Sequence, residues 1–130
     1  MEIIQRSAAE AAPREACGLL FGNESEITGW QAAENVAENP ERHFEIDPGA
    51  LFAALRAERA GGPKIAGYWH SHPSGDAGPS VTDAAAADPD GRLWLIVTRD
   101  EATLWRAGNE GLHGRFQPVE MTSSNLIRPS

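Results

Sequence analysis

The sequence predicts one α/β (α+β) domain in which helices accompany a largely antiparallel sheet. Three observations point there. Leu93–Thr98 is a continuous apolar run of strand length, the pattern of a central strand covered on both faces. Helix-like and strand-like stretches are mixed along the chain, which suits a layered sandwich. The 130 residues fit a single domain that buries roughly two thirds of its unfolded surface and needs no disulfide to fold. Residues 1–120 are read as that domain and residues 121–130 as a C-terminal tail.

The elements follow in order. Ile3 to Ala12 is Ala-rich, with apolar residues at 3, 4, 8, 11 and 12, and reads as a short helix that Pro13 ends. Ala16–Gly22 is a compact apolar run and reads as a buried strand. Asn23–Glu26 is a turn, and Ile27–Ala33 is the antiparallel partner. Glu34–Arg42 is polar and loop-like. Asp47 as N-cap with Pro48 at the first helical position starts a helix. Leu51, Phe52 and Leu55 keep helical spacing, and Gly61-Gly62-Pro63 ends it. Lys64–His72 is a strand, residues 73–79 a loop, and Ser80–Ala87 a helix start. Arg99-Asp100-Glu101 turns the Leu93–Thr98 strand into Ala102–Arg106, and residues 112–120 give one more strand.

Composition excludes several classes. With 11 basic and 19 acidic residues the net charge is −8, which disfavours nonspecific binding to nucleic acid or to an anionic membrane. The N-terminus shows no secretory signal, no run approaches the roughly 18 apolar residues of a membrane span, and Cys17 is the only cysteine. A cytoplasmic protein is the expectation; the oligomeric state is left open.

The chemistry is concentrated in His70-Ser71-His72-Pro73, followed by Ser80 and Asp83. Histidines at i and i+2 of an extended segment project to the same side. Two imidazoles and one carboxylate make a three-ligand zinc site with an open fourth position, as catalytic zinc requires. Asp83 also fits a second reading. Ser80-x-x-Asp83 matches a capping box, in which Ser caps the helix and the acid reaches back. The two readings can coexist in part: a capped helix start would hold both side chains beside the His pair, but an Asp bound to zinc is not also a free capping acceptor. Ser80 can donate to a developing oxyanion, a contact worth roughly 3–4 kcal/mol when well placed. The reaction also needs a general base. Asp76, Asp83 and Glu15, which stands directly before the buried 16–22 strand, all qualify. His43 and His113 lack a ligand pattern and read as surface or loop residues. Trp69 points away from the His pair if the strand alternates, and with Trp94 and Trp105 it reads as core.

These residues resemble the signature of the JAMM (MPN+) metalloprotease family: an upstream Glu, then His-x-His, seven residues, Ser, two residues, Asp. The match at residues 70–83 has no gap. Pro13–Gly22 is similar to the segment that carries the family's Glu in short prokaryotic members, and Phe44-Glu45-Ile46-Asp47-Pro48 to its lead-in to the second helix. The resemblance runs from about residue 10 to 106. It implies a cytidine-deaminase-like sandwich with a mixed β-sheet flanked by helices. It implies His70, His72 and Asp83 as Zn2+ ligands with water as the fourth, Glu15 as general acid/base and Ser80 as oxyanion support. The implied reaction is hydrolysis of an amide or isopeptide bond at the C-terminal tail of a ubiquitin-like or sulfur-carrier protein.

Two departures stand out. Only about a dozen residues precede Pro13, so the family's usual N-terminal strand is expected to be short or missing. The chain also lacks room for the long insertions with which eukaryotic members grip ubiquitin. Cys17 as a fourth ligand would turn the site structural; a buried free cysteine more often packs as a small hydrophobe. A noncatalytic scaffold of the same fold is the alternative function. A zinc deaminase needs a Pro-Cys-x-x-Cys, which one cysteine excludes, and a barrel amidohydrolase needs about 250 residues.

Overall fold

The computed structural model describes residues 2–23 and 26–121. Helix α1 (Glu2–Ala11) is followed by strands β1 (Cys17–Gly22) and β2 (Ile27–Ala33), helix α2 (Pro48–Arg59), strand β3 (Ile65–Ser71), helix α3 (Val81–Ala86) and strands β4 (Leu93–Val97), β5 (Ala102–Leu112) and β6 (Phe116–Val119). Local chemistry explains the boundaries. The Asp47 side chain accepts the Ala50 N–H at 3.3 Å and Pro48 opens α2, satisfying one of the orphan donors of a helix start. Beyond α2 the chain turns at Gly61 with φ +93°, a conformation that glycine adopts without a Cβ penalty.

The end of the sheet differs from the sequence reading. The strand expected to stop at Arg106 continues to Leu112, and only Phe116–Val119 of the expected 112–120 strand pairs back. Gly108, Asn109, Glu110 and Gly111 carry no apolar alternation, so nothing in the sequence marks them as strand. They form the half-exposed far end of the β5–β6 ribbon, with a register shift between Ala107 and Leu112. The expected tail lies outside the described residues apart from Met121, as does part of the 23–26 turn.

The six strands lie in the order β2-β1-β3-β4-β5-β6. β3 and β4 are parallel and every other pair is antiparallel. The parallel pair is joined by the crossover that contains α3, the connection that parallel strands require. Alternation along the strands assigns two faces. Ile4 and Ala8 of α1 pack with Leu20, Trp69, Leu93, Leu95, Val97 and Leu104. Cys17, Leu19 and Ile65 meet Ala54 of α2 on the other face, where Trp94, Ala107 and Phe116 also lie beneath Ala84 and Ala87 around α3. The result is a mixed sheet between helices. Trp69 and Trp94 are core residues as expected, but Trp105 is only half-buried and its indole N–H donates to Thr103 Oγ1 at 2.8 Å.

Gly18 marks the tightest approach in the sheet. A Cβ there would overlap the Gln31 carbonyl oxygen and the Trp69 indole nitrogen, which are themselves hydrogen-bonded at 3.1 Å. Gly18→Ala is therefore expected to destabilise the fold by about 3 kcal/mol, as overpacked sites do, read as a lowered thermal midpoint. An unchanged midpoint would contradict this packing.

Candidate metal centre

The site forms where the C-terminal end of β3 meets the N-terminal end of β1. Antiparallel pairing sets Cys17 against His70, so the residues just before β1 lie beside those just after β3. Ser71 locks this junction. Its N–H donates to the Ala16 carbonyl at 3.0 Å and its Oγ accepts the Ala16 N–H at 2.8 Å. His72 is held in turn by its own N–H, which donates to the Val97 carbonyl at 3.0 Å.

Four of the predicted residues converge. One side-chain ligand atom from each of Glu15, His70, His72 and Asp83 lies within 4.8 Å of the other three, and all four residues are buried. His70 Nε2 and His72 Nε2 are 3.0 Å apart, and Asp83 Oδ2 is 3.2 Å from the first and 3.0 Å from the second. Ser80 caps α3, where its Oγ accepts the Asp83 N–H at 2.9 Å, and it lines a cleft of about 210 Å³ together with Glu15 and His72.

The donor chemistry calls for a cation. His72 Nδ1 lies 2.6 Å from the Asp76 carbonyl oxygen. That oxygen only accepts, so the ring proton belongs on Nδ1 and Nε2 offers a lone pair. Two imidazole nitrogens and a carboxylate oxygen at about 3 Å from one another repel unless positive charge sits among them. One proton cannot satisfy all three contacts; a divalent ion can. The residues present fit a metal.

Electrostatics agrees. Burial pushes the His70 pKa below its ordinary value and favours the neutral ligand form, against the pull of Asp83. Burial alone would raise the Asp83 carboxyl, but the two imidazoles that face it hold it well below the usual carboxylate range. For His72 burial again favours the neutral ring, and the hydrogen bonds to Asp83 and to the Asp76 carbonyl outweigh it and raise the pKa. Glu15 is pushed up to about 7, first by burial and then, against the opposing influence of His72, by Asp83. One of its oxygens is buried without a hydrogen-bond partner.

The geometry bears on three points that the sequence left open. The capping box and the ligand geometry are not exclusive: Asp83 Oδ2 accepts the Ser80 N–H at 2.9 Å and faces both imidazoles with the same atom. Asp76 contributes its backbone carbonyl; its exposed carboxylate accepts the Gly78 N–H at 2.9 Å in a local turn and does not join the cluster. Cys17 does not either. Its sulfur lies 3.7 Å from the Ala33 carbonyl, and burial, then Glu15, push the thiol up to about 12, so no thiolate fills a ligand position. The other two histidines lie in loops as expected: His113 is exposed, with Nε2 3.0 Å from the Pro79 carbonyl, and His43 is half-buried against Phe44.

The model of prokaryotic homologs of the JAB domain matches residues 1–108. The chain belongs to this family. Desampylase of Haloferax volcanii is 35% identical over 98 residues, which cover 74% of this chain and 70% of that one. CysO-cysteine peptidase of Mycobacterium tuberculosis is 31% identical over 101 residues, covering 68% of this chain and 62% of that one. A Desulfitobacterium hafniense protein solved in solution superposes with a TM-score of 0.78 at 28% identity, covering 98% of this chain and 90% of that one.

Three further residues shape the centre of this JAB-domain protein. Phe44 stacks on His70 with ring centroids 4.3 Å apart and planes 20° off parallel, and Trp94 stands perpendicular to the same ring at 5.6 Å. His70 Nδ1 is buried with no hydrogen-bond partner, so aromatic packing holds the imidazole where a carboxylate or carbonyl usually would. Asn35, 7% exposed, ties the 36–45 loop to Glu15. Its side-chain amide donates to the carbonyls of Glu15 at 2.9 Å and His43 at 3.0 Å, and its Oδ1 accepts the N–H groups of Ala37 and Glu45.

Phe44→Ala is expected to weaken metal binding about tenfold, the scale of lost ligand support, with Phe44→Tyr retaining it. Competition against a chromophoric chelator reads the difference, and equal affinities would refute the stacking role. Glu15 yields a pH prediction for the metal-free protein. Its folded pKa of about 7 lies above its ordinary value of 4.5, so the folded state loses stability as pH rises through that window. Glu15→Gln should then be more stable than the parent at pH 8 by on the order of 1–2 kcal/mol, allowing for solvent screening, and no more stable at pH 4. Paired denaturant titrations test the sign.

Proposed function

We propose that this protein is a zinc-dependent peptidase or isopeptidase that hydrolyses an amide bond at the C-terminal tail of a ubiquitin-like or sulfur-carrier protein. The observation that carries the reading is the buried convergence of Glu15, His70, His72 and Asp83. Two imidazoles and a carboxylate are a borderline-soft, three-ligand set that suits zinc and leaves one position open. The names of the H. volcanii and M. tuberculosis relatives, desampylase and CysO-cysteine peptidase, support the reaction class.

In this reading His70, His72 and Asp83 hold the ion, which supplies a Lewis acid that acidifies water and polarises a carbonyl. Glu15 accepts the proton of the attacking water and returns it to the departing amine. Glu15 stands within the ligand cluster, in reach of both transfers. The Ser80 hydroxyl uses its oxygen to accept the Asp83 N–H, which leaves its proton free to donate to the oxyanion. The fixed Nδ1 proton of His72 keeps that ligand in one tautomer. The noncatalytic scaffold remains the second reading, but it gives no account of a buried Glu15 oxygen without a partner.

Zinc-loaded protein incubated with carrier–peptide fusions should release the peptide, detected by mass. Glu15→Gln should keep stoichiometric zinc and lose about 10²- to 10⁴-fold in turnover. Ser80→Ala should cost about 10²-fold in kcat. Cleavage that persists after chelation would sink the metal mechanism, and zinc binding without any cleavage would favour the scaffold.

A further inference from the structure

The cleft shared by Glu15, His72 and Ser80 contains one further charged group that the reaction as described does not use. Arg42 is the sole Lys or Arg among its lining residues. Its guanidinium is exposed and has no hydrogen-bond or ion-pair partner among the described residues, although Glu41 and Asp76 line the same cleft. Its backbone, by contrast, is well fixed. The Arg42 and His43 N–H groups donate to the Asn39 carbonyl at 3.2 and 3.0 Å, and the Glu15 N–H donates to the Pro40 carbonyl at 2.6 Å. Asn35 closes the same loop onto Glu15 and His43 from beneath. The loop that carries Arg42 is thereby hydrogen-bonded directly to the backbone of the acid/base residue.

The direction of the chemistry says what this cation meets. A group that protonates a departing amine must lie within hydrogen-bond reach of it. The leaving-group side of the scissile amide is therefore the side on which Glu15 stands, and Arg42 stands there too. Guanidinium offers a planar fork of donors and no acceptor, the geometry that takes a carboxylate with two parallel bonds. The geometry points to Arg42 as the carboxylate-binding residue of the leaving-group subsite, so that preferred substrates carry a carboxylate immediately beyond the scissile bond. This inference rests on the peptidase reading above and narrows its substrates. The carboxylate comes either from the free α-carboxyl of a single released amino acid or from an acidic side chain in a longer leaving segment.

Three fusions of one ubiquitin-like carrier separate the possibilities. Each extends the carrier's C-terminal Gly by one residue: alanine with a free carboxyl, alanine amide, or glutamate amide. The readout is the ratio of kcat/KM for each acidic substrate to that of alanine amide, so a general folding defect cancels. Wild-type protein should favour at least one acidic substrate by roughly tenfold or more, expressed mainly in KM. Arg42→Ala and Arg42→Gln should bring that ratio close to one, and Arg42→Lys should recover part of it. Preference for free alanine over glutamate amide assigns the α-carboxyl; the reverse assigns the side chain. A wild-type ratio near one, or a high ratio that survives Arg42→Ala, overturns the assignment while leaving the peptidase reading intact. Failure of the zinc-loaded protein to cleave any of the three overturns both.

Discussion

The register between β1 and β3 is the constraint on which the site depends. It sets Cys17 opposite His70 and, through the paired Ser71–Ala16 contacts, brings Glu15 alongside His72. Side chains alternate along a strand, so a slip of one residue would exchange the faces of Trp69 and His70. The indole would enter the polar centre and the imidazole the α1-side core. Both residues are wholly buried, so neither face tolerates the other's occupant. The packing of Trp69 against Leu20 and Leu95 thus helps to specify where a ligand on the opposite face points. Hydrophobic core and polar site are two sides of one registration.

Concentrating four ionisable groups in a buried volume opposes folding. The fold offsets this with directed partners: the Asp76 carbonyl for His72, the Ser80 N–H for Asp83, aromatic rings for His70. Glu15 keeps an unpartnered oxygen, and its proposed work requires it to exchange a proton. An unmet polar atom costs stability, and sites of reaction are where proteins retain such costs. The neutral thiol of Cys17, next to this cluster, shows the same environment acting on a group with no role in it.

Much of this was legible in the residues themselves. Asp47-Pro48 marked a helix start, Leu93–Thr98 a central strand, and His70-Ser71-His72 a same-side pair, because each rests on a local rule of capping, apolar patterning or periodicity. The rest depended on contacts with no sequence period. Asn35 sits in a polar stretch indistinguishable from other loop, yet its amide organises the 36–45 segment through backbone atoms that every residue possesses. Phe44 looked like a lead-in to α2; its stacking on His70 is a tertiary fact. Asp76 was readable as a carboxylate and works through its carbonyl. The extension of β5 failed to show because residues 108–111, two glycines and the exposed Asn109 and Glu110, carry no apolar alternation.

Asp83 shows why the motif has the spacing it does. A capping box requires the acid at the third helical position after the capping serine, and here that acid's Oδ2 also meets both imidazoles. The hydrogen bond from Ser80 fixes the carboxylate against rotation, while the return bond from the Asp83 N–H fixes the Ser80 hydroxyl. One helix start therefore orients a ligand oxygen and a hydroxyl donor together. The i, i+2 spacing of the histidines is set by strand geometry and the Ser-x-x-Asp spacing by helix geometry, leaving only the 73–79 loop to be chosen. That loop turns at Gly75, with φ +93°, and presents the Asp76 carbonyl to His72. A signature that looks arbitrary as a string is the junction of a strand end, a turn and a capped helix, each with its own fixed period.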